Sequence, residues 1–299
     1  MEIRVLKYFL AVAKEESITE AAKILHVSQP NVSKQLKLLE SDLGVTLFNR
    51  TNYRIKLTKE GLLLKKRAEE IIEMLEKTKN EIVTLDEVAG GDVYIGSAES
   101  ESFTFLAQTA NSLKKHYPHM CYHLFSGNSF DVMDRLDRGI DDFGIVFDPV
   151  DLSKYNYLTL PSDDKWGVVM RKDSPLAKKK VITISDLIDK PLILSLQATQ
   201  QYLSKNDFFS WFGPRFDQIT IIGTYSLIFN AFILVREGLG YAVAIESVLE
   251  NSHKNELTFR PLSPKLSTNL YVIWKKSQVF SPAAEIFLTA IQTTLSHSS

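Results

Sequence analysis

The sequence predicts an α + α/β protein: a small N-terminal helical unit with a hairpin, one long helix, and a larger α/β domain of two lobes. Three observations carry this reading. Apolar residues in the first 43 positions recur at helical spacing in short, capped segments. A 4-3 apolar repeat then runs unbroken from Leu64 to Leu85. Beyond Gly90-Gly91, short apolar runs alternate with helical segments to the end of the chain.

Each element follows in order. Val5, Leu6, Phe9, Leu10 and Ala13 share one face of a first helix. Ser17, with Glu20 three residues on, forms a capping-box pattern ahead of Ile18–Leu25. Val27-Ser28 makes a tight connection. Gln29-Pro30 opens a third helix, where the missing N–H of proline costs nothing. Val32, Leu36, Leu39 and Leu43 form its buried stripe, and Gly44 ends it. Leu47–Arg50 and Tyr53–Leu57 flank Thr51-Asn52 as a hairpin or wing, and Thr58 caps a long helix to about Val88. Within that helix Leu64, Ala68, Ile71, Leu75, Thr78, Ile82 and Leu85 form a seam with one polar member. So long a helix with one apolar seam needs a partner, and a second copy of the chain is the simplest one.

Ala89-Gly90-Gly91 breaks the helix. Strands are expected at 93–97, 120–125, 142–147, 166–171, 191–196, 219–225, 240–245 and 269–274. Helices are expected at 102–116, 129–139, 200–212, 226–238 and 281–296. Short apolar strands separated by helices imply parallel sheets covered on both faces. The domains are thus 1–58 (helical unit with its hairpin), 59–88 (linker helix, its seam the dimerisation face) and 89–299 (α/β domain). Lobe I spans about 91–161 plus 265–299, and lobe II about 162–264.

Composition narrows the function. Hydrophobic residues make up 44% and charged residues 24%, so disorder and fibrous repeats are excluded. The formal charge of -1 excludes a globally basic nucleic-acid binder, but residues 1–60 hold 10 Lys/Arg against 7 Asp/Glu. Cys121 is the one cysteine, so neither an internal disulfide nor a Cys-rich zinc site is available. Its apolar run, Met120–Phe125, suggests an inert buried thiol. The first residues do not read as a signal peptide, and Tyr225–Val235 is too short to span a bilayer, which points to the cytoplasm.

A three-helix unit whose third helix is polar and basic is a helix-turn-helix candidate, reading the major groove with that helix's N-terminal residues. Gln29 and Asn31 carry amides that can pair with adenine, and Ser28 and Ser33 carry hydroxyls. Lys34, Lys37, Arg50, Arg54 and Lys56 can hold phosphates. Ordinary solvated faces of a small helical unit give the same pattern.

The residues Phe9–Ala13, Ser17–Leu25, Val27–Leu36, Leu39-Glu40, Leu43-Gly44, Leu47–Arg50, Leu57-Thr58 and Gly61 resemble the start of LysR-type transcriptional regulators. The seam and the α/β remainder extend the likeness over essentially the whole chain. The resemblance implies a winged helix-turn-helix, a dimerising linker helix and a two-lobed effector domain similar to periplasmic binding proteins. It implies no cofactor. Its partners would be promoter DNA, a small-molecule effector, further copies of the chain as dimer or tetramer, and RNA polymerase. Gln29, Pro30 and Ser33 match positions that approach bases. Ser17, Thr19, Lys34 and Arg50 match positions that touch the backbone. Where the family usually has an Arg-Gly pair in the wing, this chain has Tyr53-Arg54, so Arg54 is kept only as a phosphate contact.

Ligands of α/β sheets bind beyond the carboxyl ends of strands. Small polar groups cluster at those junctions: Ser97 to Ser102, Ser126 to Ser129, Phe147-Asp148, Ser195 to Thr199, and Thr224 to Ser226. Helix caps explain any one of them; five facing one cleft make a site. The effector candidates are Ser97, Ser100, Ser102, Asn128, Ser129, Phe147, Ser195, Gln197, Thr199 and Tyr225. Of these, the resemblance itself marks Ser100, Ser102, Asn128, Ser129, Gln197 and Thr199. If Ser100 faces the cleft in extended backbone, Glu99 and Glu101 alternate away from it. The expected effector is neutral, zwitterionic or cationic. Rival readings are an enzyme, a transport-type solute-binding protein, and a ligand-independent DNA-binding repressor or architectural protein with a vestigial cleft. No phosphate loop, metal spacing or nucleophile elbow supports the first. His116, His119 and His123 read as solvated or packing histidines, and the catalytic and metal sets are empty.

Overall fold

Helices α1 (Ile3–Glu15), α2 (Ile18–Ile24) and α3 (Gln29–Leu43) close on a core in which Phe9, Val12, Val32 and Leu36 have no exposed surface. This computed structural model describes residues 1–50, 55–84, 90–161, 164–199, 207–246 and 256–298. Ser17 Oγ accepts the Glu20 N–H at 3.3 Å and starts α2. Gly44, at φ 67°, ends α3 in the left-handed region that glycine enters freely. Strands β1 (Phe48–Arg50) and β2 (Ile55–Leu57) pair antiparallel, Phe48 opposite Leu57. Thr58 Oγ1 accepts the Gly61 N–H at 2.9 Å and donates to Thr46 O at 2.7 Å. It thereby ties the start of α4 (Lys59–Thr84) to the hairpin.

The chain divides into two compact units, Met1–Val83 and Thr84–Ser299. In the second, lobe I is a five-stranded sheet of order β4-β3-β5-β13-β6. Its strands are β3 (Gly90–Ser97), β4 (His119–Ser126), β5 (Phe143–Phe147), β6 (Tyr155–Thr159) and β13 (Leu270–Lys275). Helices α5 (Thr104–Leu113) and α10 (Pro282–Ser298) bring Leu106, Phe287 and Ile291 onto one face, and α6 (Ser129–Asp137) brings Val132 and Leu136 onto the other. Arg135 grips the buried Asp141 through two nitrogens at 2.9 and 3.0 Å, which pins α6 to the sheet.

Lobe II is built on β7 (Asp164–Arg171), β8 (Pro191–Ser195), β9 (Thr220–Tyr225), β10 (Tyr241–Ile245) and β11 (Leu257–Pro261), in the order β11-β7-β10-β8-β9. The short β12 (Ser267–Thr268) pairs with β7. Helices α7 (Leu196–Thr199), α8 (Asp207–Phe212) and α9 (Phe229–Arg236) complete it. Alternate residues of β7 enter opposite cores, Val168 with Phe208 and Phe212, Val169 with Phe232 and Val235.

Three expectations are corrected. The sheets are mixed: β13 runs antiparallel to β5 and β6, and β7 antiparallel to β10 and β11. These are the strands by which the chain passes between lobes and returns. Three strands, β6, β11 and the two-residue β12, went unread, because the first is polar and edge-lying, the second ends in proline and the third is too short to carry a pattern. Cys121 is exposed, because β4 is an edge strand with most of its side chains open to solvent. The expected helix 200–212 is seen as α8, and its first part lies outside the described residues, as do Leu85–Val88 of the expected linker helix.

Candidate functional site

The first candidate surface is the exposed face of α3. Val32, Leu36 and Leu39 are buried and fix its rotation. Gln29, Pro30, Asn31, Lys34 and Lys37 are thereby turned to solvent, with Ser33 half-buried among them. Gln29, Pro30, Ser33, Lys34 and Lys37 border one shallow groove with Leu38. Ser28 is the exposed N-cap residue and makes no side-chain capping bond. Ser17 is occupied as the cap of α2, and Thr19 is exposed in its first turn. On the hairpin, Asn49 stands opposite the exposed Lys56. Arg54 and the rest of the wing tip lie outside the described residues, as does the Arg50 side chain.

The linker seam divides. Leu64 packs against the DNA-binding core and Ala68 is fully buried in it, so these two face their own chain. Ile71 is 38% exposed, Leu75 half-buried and Ile82 63% exposed. The single continuous seam expected from the spacing is therefore corrected. A helix of 3.6 residues per turn drifts off a 3.5-residue repeat, and its first turns are claimed by the core of its own N-terminal unit. Lys7 Nζ meets Glu76 Oε1 at 2.8 Å across these helices, which holds the Glu76 carboxyl below its usual range.

The second candidate is a cavity of about 180 Å³ between the lobes. Apolar walls come from Phe147, Trp166, Phe208, Ile228, Ile245 and Leu266, with Trp166 and Ile245 directly paired on β7 and β10. Of the sequence candidates, Asn128, Phe147, Ser195, Gln197 and Tyr225 line it. The others lie off it. Ser97 Oγ donates to Ala98 O, and Thr199 Oγ1 to Ser195 O and Leu196 O. Ser100 Oγ accepts the Ser102 N–H at 3.0 Å, and Ser102 Oγ reaches Asp164 at 3.4 Å. Ser129 is buried, its Oγ accepting the Phe147 N–H.

Besides Ser102, which meets Asp164 of β7, two side chains that line the cavity cross between the lobes. Gln197 Oε1 accepts the Ser129 N–H at 3.1 Å, at the start of α6. In the opposite direction, Glu99 Oε2 accepts the Ile228 N–H at 3.2 Å, at the start of α9. Asn128 Oδ1 takes the next two N–H groups of α6, those of Phe130 and Asp131. Tyr225 donates its hydroxyl to Val243 O at 2.8 Å; burial, and the charge of Glu99 beside it, hold the phenol above its usual value. Asp148 Oδ2 accepts from Asn269 Nδ2 at 2.8 Å and from Tyr271 Oη at 2.9 Å.

The placement of Glu99 corrects the sequence expectation. It lines the cavity instead of alternating away from it, because Ser100, in extended backbone, turns its hydroxyl away from the cavity to cap the tight helical turn Glu101–Phe103. Sequence reasoning also missed Asp148, Trp166, Phe208 and Thr268 as lining residues. Only Asp148 left a signal, a carboxylate directly after an apolar strand. Among the described residues no group of three His, Cys, Asp or Glu is placed to hold a metal. His123 instead meets Asp92 at 2.9 Å and stacks on Tyr94.

Comparison with known proteins adds identity to this geometry. Residues 3–62 match the model for bacterial regulatory helix-turn-helix proteins of the lysR family, and residues 86–296 that of the LysR substrate binding domain. The Hca operon transcriptional activator HcaR of Escherichia coli (strain K12) is 30% identical over 299 residues, 99% of this chain and 98% of its own. The regulator BsdA of Bacillus subtilis (strain 168) is 37% identical over 143 residues, 47% of this chain and 49% of its own. A crystal structure of full-length CbnR with its target DNA superposes with a TM-score of 0.73 at 20% identity, covering 98% of this chain and all of that one, and so shares the fold. The chain belongs to the LysR family: it is a DNA-binding transcriptional regulator that oligomerises and whose promoter contacts respond to a small-molecule effector.

Proposed function

We propose that α3 enters the major groove and divides its labour along its length. Gln29, Pro30, Asn31 and Ser33 meet base edges, and Ser28, Lys34 and Lys37 meet the phosphates that flank them. Ser17 and Thr19 on α2, with Arg50 and Arg54 of the wing, extend the backbone contacts. The observation that carries this reading is the exposed, polar first half of α3 held in place by fully buried Val32 and Leu36. A recognition helix needs such a rigid back and an unsatisfied front.

The second half of α4, with Ile71, Leu75 and Ile82, is read as the contact with another copy of the chain. The interlobe cavity is read as the effector site, and bound DNA as the platform for RNA polymerase. No catalytic step is assigned to any residue. No described helix is long and apolar enough to cross a membrane, and a cytoplasmic location suits a DNA-binding partner set. Footprinting of the full-length protein on a site recovered by selection from random DNA tests the reading. Two protected half-sites on one face of the duplex are expected. Unbounded protection that disappears with salt would overturn it, because backbone attraction alone behaves in that way.

A further inference from the structure

The family assignment names an effector but not its chemistry, and the cavity narrows that chemistry. Its size sets the scale: an apolar cavity of roughly 150 Å³ admits one benzene ring, and this one measures about 180 Å³. Phe147, Trp166, Phe208 and Tyr225 give it aromatic walls.

The polar groups carry a sign. Two carboxylates, Glu99 and Asp148, line the cavity, and neither has a cationic partner among the described residues. No Lys or Arg stands among the described lining residues. An anion would also need N–H donors, and several of those at the two helix starts that face the cleft are already taken. Glu99 takes the Ile228 N–H of α9, while Gln197 and Asn128 take those of Ser129, Phe130 and Asp131 of α6. A ligand carboxylate would meet two like charges and no lining cation among the described residues. An ammonium would meet two carboxylates and aromatic faces suited to a cation.

Resting on the reading of this cavity as the effector site, we propose that the effector is a small monoaromatic or similarly compact apolar amine, bound as its cation with Glu99 as counter-charge. The amine donates to Glu99 from inside the cavity. Because Glu99 also holds the start of α9, the same carboxylate joins the ligand to the contact between the lobes.

The test uses three probes of nearly equal size on the full-length protein: 2-phenylethylamine, 2-phenylethanol and 3-phenylpropionate. Binding is followed by calorimetry on wild type, Glu99→Gln and Trp166→Phe. The glutamine can keep the Ile228 bond while removing the charge, so the fold is preserved. Preference for the amine in wild type, weakened about tenfold or more in Glu99→Gln, is expected; that is the scale of one lost charge-assisted hydrogen bond. Tighter binding of the carboxylate, or equal binding of amine and alcohol that Glu99→Gln leaves unchanged, overturns the charge assignment. If Trp166→Phe still perturbs that binding, the cavity itself stands as the site. Failure of all three probes to bind wild type overturns both the amine class and the cavity as a site for compact aromatics.

Discussion

The residues proposed to meet base edges come from one short stretch, Gln29 to Ser33, on a single helix. The cleft instead draws Glu99, Asn128, Asp148, Trp166, Gln197 and Tyr225 from segments scattered over more than a hundred residues. On α3 the functional side chains are exposed, Ser33 half-buried among them, and three buried apolar residues behind them do the positioning. In the cleft the functional side chains are also the structural ones. Gln197 and Glu99 each hold a helix start of the opposite lobe. Reading is therefore separable from folding, while sensing is not: a ligand that engages Glu99 necessarily acts on a contact between lobes.

The comparison can be broken hardest at Gly61. A Cβ there would lie 2.2 Å from the Leu47 carbonyl oxygen, a backbone atom that cannot step aside. Gly61→Ala is expected to destabilise the N-terminal unit by about 3 kcal/mol, the upper range for overpacking. Calorimetry would show that transition move down while the transition of residues 84–299 and its ligand binding persist. A smaller effect is expected from Leu75→Glu, which places a charge on the α4 face proposed to pair with a second copy. Light scattering should report a smaller assembly with helix content unchanged; an unaltered mass removes this face from the interface.

The smallest effect tests how independent the reading unit is. Glu76 is held below its ordinary range chiefly by the hydrogen bond from Lys7, then by that ammonium's charge. Its contribution to stability is present above the ordinary carboxylate range and fades as pH falls through the lowered value. In Lys7→Met the Glu76 titration, followed by NMR, should return toward the ordinary value with α3 resonances unmoved.

Legibility in the sequence follows the same division. The 4-3 spacing of Val32, Leu36 and Leu39 and the stop at Gly44 are local signals, so α3 and its outward face could be read directly, although Leu43, expected in the buried stripe, is exposed in the last turn. The linker seam was legible as a pattern but not in its partner, since spacing cannot say that Leu64 and Ala68 face their own chain. Cys121 was misplaced because an apolar run does not reveal that its strand lies at a sheet edge. In the cleft, the strand-end rule found Asn128, Phe147, Ser195, Gln197 and Tyr225 as residues near a junction. It could not find Trp166 or Phe208, which sit within a strand and a helix and face the cavity only once lobe II has closed on its core. Glu99 was misdirected by one local event, the turn that begins at Ser100.

The most direct test of the division of labour on α3 measures the affinity of wild type, Gln29→Ala and Lys34→Ala for the selected site and for a scrambled duplex over a range of salt. Gln29→Ala should lose about 1–3 kcal/mol on the selected site and almost nothing on the scrambled one. Lys34→Ala should weaken both alike and flatten the salt dependence by about one unit of slope. Equal losses on both duplexes and identical slopes for the two variants would contradict the account, for α3 would then hold DNA without reading it.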